Sequence, residues 1–272
     1  MSPTLRRRLK QAERRARAPR ASSPTSQLLA DINAEIAVLA DAQIARLWPI
    51  MQQATRSLTA RLRELSASGK GDTYTAQKVR ASLMQTQAAM REMVPRLASE
   101  LSAGATVMQR AAIEHMRATV EHFSARFGAP AQLDIDMATS LLEGRRALVP
   151  QHRRSAERYA GEAWRQIRAE LSVAKVEGLS WGETAKRMHG RVEAFSAGYQ
   201  AERLVRTESV NAYSERVDAT AKAEGYDLKW NAASYRACVI CGPLDDKVNV
   251  GKPPAHPNCR CCVVLWRKDW DA

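Results

Sequence analysis

All five cysteines of this 272-residue chain fall in its last 35 residues, as Cys238, Cys241, Cys259, Cys261 and Cys262. Together with His256 they spell C-x2-C, fourteen intervening residues, then H-x2-C-x-C-C. This pattern restricts the fold more than any other, because the segment between its halves is dense in Gly and Pro and has little core of its own. A C-x2-C turn places two sulfurs on the same side of a metal ion. A second Cys/His pair arriving from a later segment then completes the tetrahedral shell that Zn2+ requires. Cys238, Cys241 and Cys259 are three of the expected ligands. The fourth is His256, which forms a second two-residue-gap pair with Cys259, or alternatively Cys261. In an extended chain Cys262 points away from Cys261 and is expected in the core. Disulfides compete with this reading, but the odd count and the tight clustering favour a metal. A closed four-ligand site is structural and supplies folding energy.

The rest of the chain reads as helix. Leu29, Ile32, Ile36, Ala40, Ile44, Leu47 and Met51 step by three and four along one helical face. Pro49 is expected to kink that helix or end it a turn earlier. The pattern resumes through Leu58, Leu62 and Leu65 and stops at the turn-forming Ser68-Gly69-Lys70-Gly71-Asp72. A second stretch spans about Thr75 to Phe127, with interruptions expected at Pro95 and Gly104. Two further helices are expected near Ile135–Glu143 and Gln151–Lys175, separated by a loop around Pro150. His115, His122, His152 and His189 lie scattered over these helices and are read as structural. No repeat of fixed period recurs.

Near residue 178 the character changes. Ser180 and Glu183 have capping-box spacing and open a short helix to about Met188. Tyr199 to Ala223 is another helix, ended by Gly225. Tyr226–Trp230 and Cys262–Trp266 then read as two strands. The expected fold is mainly α, a long helical stem (25–177) followed by a small C-terminal α+β zinc-braced module (178–272).

Residues 1–24 form a basic arm. Arg6, Arg7, Arg8, Lys10, Arg14, Arg15, Arg17 and Arg20 stand there against one acid, Glu13, giving +7 of the chain's net +13. Without apolar periodicity such an arm is expected to be mobile in isolation. Its cations suit nucleic acid or another polyanion, with a solubilising tail as the alternative, and seven of the eight are Arg, which pairs phosphate bidentately. The segment that follows, Ser22-Ser23-Pro24, is not the apolar stretch of a secretory signal. No apolar run approaches the roughly 18 residues of a membrane span.

Several motifs in order resemble the Mu F-like minor head proteins of tailed bacteriophages, also called head-morphogenesis proteins. They are Arg206-Thr207-Glu208-Ser209-Val210-Asn211-Ala212, Lys229-Trp230, Arg236-x-Cys238-x2-Cys241-x2-Leu244-Asp245, and Pro253-Pro254-x-His256-Pro257-Asn258-Cys259-Arg260-Cys261. Gly178 through Met188 is similar to the short helix upstream. The resemblance covers roughly residues 150–267, and the P-P-x-H-P-N-C-R-C string is its specific part. Two positions depart from the family pattern: Ser234 stands where the family has Asp, and Asp246 where its L-D-G turn has Gly.

The resemblance implies a minor capsid protein associated with the portal protein, the major capsid protein and packaged DNA. It would lie at the portal vertex and capsid interior of the virion, and in the host cytoplasm during assembly. It implies roles in head assembly and DNA packaging or ejection. The chain is expected not to be an enzyme, with residues 206–216 structural: Arg206 and Glu208 would pair with each other or hold loop carbonyls. The main rival is a zinc-braced nuclease using His256, Asp245 and Asp246. A zinc-ribbon DNA-binding regulator is a third reading, but no recognition helix follows the Cys turn.

Overall fold

The computed structural model describes residues 23–67, 76–128, 133, 135–180, 182–184, 186–188, 190–191, 199–233 and 237–271. The protein is mainly helical, with a two-stranded antiparallel sheet near its C-terminus. Four helices dominate: α1 (Pro24–Ala67), α2 (Ala76–Phe127), α3 (Met137–Val176) and α4 (Tyr199–Glu224). Strands β1 (Asp227–Asn231) and β2 (Cys262–Trp266) follow, each trailed by a short 3-10 turn, Gly242–Leu244 and Lys268–Asp271. No described helix is long and apolar enough to cross a membrane.

The helix does not end at Pro49, and the interruptions expected at Pro95 and Pro150 do not occur. Pro49 lies inside α1, Pro95 inside α2 and Pro150 inside α3, so the two helices expected around Pro150 are one. An internal proline removes one ladder hydrogen bond and costs roughly 3 kcal/mol in an isolated helix. Each of these prolines is flanked by deeply buried side chains: Leu47 and Met51, Met93 and Leu97, Leu148 and His152. Burial of one continuous stripe outweighs the local penalty.

Gly104 does not interrupt α2 either. A Cβ there would lie 1.8 Å from Nε2 of Gln43. Gln43 donates to the carbonyl of Leu101 (3.4 Å) and accepts the hydroxyl of Ser209 (2.6 Å), tying α1, α2 and α4 together. The glycine serves close helix approach.

The chain forms two compact units. The first takes the chain up to Ala45, Leu101–Val149 and everything from Arg203 on; the second takes Arg46–Glu100 and Pro150–Glu202. In the first unit, Ile32, Ile36, Met108, Met116, Phe123, Tyr213 and Val217 from the helices share one core with Trp230, Val263, Leu265, Trp266 and Trp270. Phe123 stacks on Trp270 (centroids 4.7 Å apart) and meets Trp266 edge-on (4.9 Å). A two-stranded hairpin is marginal alone in water. Here β2 is buried along its whole length because helices and the cysteine loop cover it.

Two of the helix histidines, His115 and His122, are hydrogen-bonded within the fold. His115 bridges Glu35 (3.0 Å) and the Tyr213 hydroxyl (3.3 Å), His122 meets Thr25 (3.0 Å), and His152 is fully buried. His189 lies outside the described residues, as does the basic arm. In the second unit the capping box forms as expected. Ser180 Oγ accepts the Glu183 N–H (3.3 Å), and Glu183 Oε2 accepts the Ser180 N–H (3.0 Å).

Candidate metal centre

Strand pairing frames the centre. Asp227 pairs with Trp266 and Asn231 with Cys262, so residues 232–261 form one closed excursion between the strands. Both halves of the Cys/His pattern lie on that excursion, which folds back on itself. The turn Cys238-Val239-Ile240-Cys241 is closed by the Gly242 N–H donating to the Cys238 carbonyl at 2.8 Å. Leu244 N–H then donates to Cys241 (3.1 Å), and Cys259 N–H to His256 (3.2 Å).

These two turns meet. His256 Nε2 lies 3.1 Å from Cys238 Sγ and 3.2 Å from Cys241 Sγ, while Cys241 and Cys259 sulfurs are 3.7 Å apart. Two overlapping groups result, Cys238–Cys241–His256 and Cys241–Cys259–Cys261, with Cys241 common to both. The Cys/His side chains are therefore positioned to hold a metal ion. His256 Nδ1 faces the carbonyl of Pro257 at 3.0 Å. Donation of its proton there leaves the Nε2 lone pair for a metal, the usual second-sphere arrangement for a ligating imidazole.

The electrostatics divide the sulfurs. The N–H of Cys241, with that of Ile240, lowers the pKa of the Cys238 thiol against the opposing effect of burial. The Cys261 thiol and the N–H groups of Cys261 and Ala255 bring Cys259 down to about 5. Cys259 is thereby a thiolate at neutral pH, the form in which cysteine binds metal, and Cys238 is shifted toward that form. Burial and the neighbouring Cys259 charge push Cys241 up to about 12. Its hydrogen bond to Cys259, and burial, push Cys261 upward. A cation among buried sulfurs reverses that pattern, since a coordinated thiol is deprotonated outright.

Cys262 stands apart as a core residue. It is fully buried, its thiol is pushed up to about 12 by burial, and Asn231 Nδ2 donates to its sulfur at 3.3 Å. The same Asn231 amide reaches the carbonyl of Leu29 (2.9 Å) and so ties β1 to α1. Cys261 accepts the Ala233 N–H at 3.4 Å.

The acids of the loop are engaged locally. Asp245 accepts the Ala232 N–H (2.8 Å) and Asp246 pairs with Lys229 (3.3 Å). Asp246, standing at the Gly position of the resembling turn, has φ 61. Ser234 and Arg236 lie outside the described residues. The Arg206 guanidinium, 3% exposed, pairs with Asp41 on α1 at 2.6 Å, a partner the sequence reading did not name.

Two anchors of the loop escaped sequence reasoning. Lys252 bridges Glu215 (2.8 Å) and Asp218 (2.6 Å) on α4, and Asn258 N–H donates to Thr207 Oγ1 (3.0 Å). Spacing carries no signal for the first. For the second, the signal was the co-occurrence of the Arg-Thr-Glu and His-Pro-Asn-Cys strings.

Comparison with family models, with curated protein sequences and with solved structures found no match to this chain.

Proposed function

We propose that this chain is a minor head-morphogenesis protein of a tailed bacteriophage or prophage. It sits with the portal protein and the inner face of the major capsid shell, acts in head assembly and DNA packaging or ejection, and is not an enzyme. Its C-terminal module is braced by one structural Zn2+ ion. The sulfur-rich donor set suits zinc. Cys238, Cys241 and Cys259 are three ligands and His256 is the fourth, its Nε2 lying between two of the sulfurs.

The observation that carries this reading is the direct bond between Asn258 and Thr207. Two strings that resemble the head-protein family, far apart in sequence, are joined at the metal centre. The basic arm supports the reading independently, because a protein inside a filled head lives among phosphates. Its eight cations give sequence-independent DNA contact, with a slope of log K against log[salt] no steeper than about −7.

The test is co-purification of the full chain with a portal-type ring, with elemental analysis of the same sample. A stable complex carrying one zinc per chain supports the proposal. Failure to bind portal rings or assembling heads, with zinc present and the chain folded, overturns it.

A further inference from the structure

Charge in this protein is concentrated beyond the arm. The second unit (Arg46–Glu100 and Pro150–Glu202) carries 18 Lys and Arg against 11 Asp and Glu, a net +7. Apart from residues 1–20, the first unit is close to neutral. Within the second unit α3 carries six of the 18 cations, more than α1 or α2. Ala156, Tyr159, Ala163, Ile167, Leu171 and Ala174 are its buried stripe. On the opposite face, Arg154, Arg158, Arg165, Arg168 and Lys175 follow in steps of four, seven, three and seven residues, all exposed. Those steps keep five cations within about 100° of the helix circumference.

The face carries one exposed acid, Glu157, within the same arc, so cations outnumber acids on it five to one. Its nearest acids are already engaged: Glu157 pairs with Arg153, Glu162 with Arg165, and Glu170 with Arg187 and Arg191. Arg154, Arg168 and Lys175 make no ion pair among the described residues. At about 1.5 Å per residue the row from Arg154 to Lys175 spans roughly 32 Å, close to one turn of a DNA duplex. Four of the five are Arg, the better bidentate phosphate donor.

We infer that the outward face of α3 is a second binding surface for the phosphate backbone of double-stranded DNA, separate from the arm. The rigid row favours a duplex over a membrane. A membrane-surface helix needs a continuous apolar face free to enter lipid, and the apolar stripe of α3 from Ala156 to Ala174 is buried. This surface goes beyond the head-protein proposal and does not rest on it.

The test uses a duplex of about 30 base pairs of arbitrary sequence, titrated between 50 and 200 mM salt. It compares the full chain with the chain lacking residues 1–20. Each is made as wild type, as the fourfold Arg154→Gln, Arg158→Gln, Arg165→Gln, Arg168→Gln variant, and as the corresponding fourfold Arg→Lys variant. A control removes four exposed cations of the first unit, Arg110, Lys222, Lys247 and Lys268, each to Gln.

Without the arm, the wild-type face should still bind. The Gln variant should lose at least about tenfold in affinity, and its salt slope should become shallower by about 3 to 4. The Lys variant should keep the slope, and the control should change affinity less than twofold. If the fourfold Gln variant does not fold, the pairs 154/158 and 165/168 are tested separately, each expected to remove about half of the slope. Unchanged DNA binding by the Gln variants, an equal loss in the control, or no binding by the armless chain at 50 mM salt overturns the inference. So does a loss confined to vesicles of anionic phospholipid while DNA binding stays unchanged.

Discussion

Thr207 Oγ1 accepts the backbone N–H of Asn258 at 3.0 Å and donates its own proton to the Arg203 carbonyl at 2.6 Å. One hydroxyl thus joins the ladder of α4 to the residue just before Cys259. Asn258 has φ 64, a left-handed conformation in which the chain reverses into the ligand segment. The bond fixes where that reversal happens, and with it the approach of Cys259 to Cys241.

Thr207→Val keeps the shape of the side chain and deletes both functions of the hydroxyl. Leaving the Asn258 N–H without a partner should cost about 1–2 kcal/mol. Metal should also dissociate faster, because the ligand loop is less well positioned. Thr207→Ser should retain most of both properties. Denaturation midpoints and chelator-challenge rates measured on the three proteins check this, and equal metal release from all three would count against it.

One metal ion per chain is expected in protein purified without added metal. Cys238→Ser or Cys241→Ser should disorder the C-terminal module, because a structural zinc contributes on the order of 10 kcal/mol. Cys262→Ala should leave stoichiometry unchanged, since that sulfur is held by Asn231 outside both ligand groups. His256→Ala should release metal more readily than Cys261→Ala. The reverse order would make Cys261 the fourth ligand.

The parts of this fold legible in sequence are those in which chemistry and spacing act locally. The Cys/His pattern, the capping box at Ser180 and the bounds of β2 all belong to that class. β1 begins one residue later than alternation suggests, at Asp227 rather than Tyr226. The prolines misled because their penalty is local while the burial that outweighs it comes from other helices. Arg206 with Asp41, and Lys252 with Glu215 and Asp218, are pairings between distant segments, to which periodicity is blind.

Arg206 should therefore be a stability residue. Arg206→Met leaves the largely buried Asp41 carboxylate unpaired, and breaking such a pair typically costs about 3–5 kcal/mol. The double variant Arg206→Met/Asp41→Leu should recover much of that loss. Additive losses in a double-mutant cycle would show that the two side chains are not coupled.

Asp246 offers the opposite sign. A non-glycine residue at φ 61 is strained by roughly 1 kcal/mol. Its pair with Lys229 leaves the Asp246 side chain 73% exposed, so it contributes little. Asp246→Gly should raise the thermal midpoint slightly, and Asp246→Val should lower it. A destabilised glycine variant would mean that the ion pair outweighs the backbone strain.

His152 sets a pH dependence on the second unit. The side chain is fully buried, and burial lowers its pKa from 6.5 to about 4. In the unfolded chain the imidazole titrates near 6.5. Between those two values the unfolded chain holds a proton that the folded chain does not. Stability from this group is therefore complete above about pH 6.5 and falls as the pH drops toward about 4. The gap of about 2.5 units corresponds to at most about 3 kcal/mol. His152→Asn removes the titration, though it also lowers stability at pH 7 through lost packing. The stability difference between wild type and variant should accordingly shrink as the pH falls from 7 to 4.5. Urea denaturation at several pH values measures it, and the comparison cancels carboxylates that titrate in both proteins. A difference that stays constant over that range would show that His152 is protonated in the folded protein as readily as in the unfolded chain.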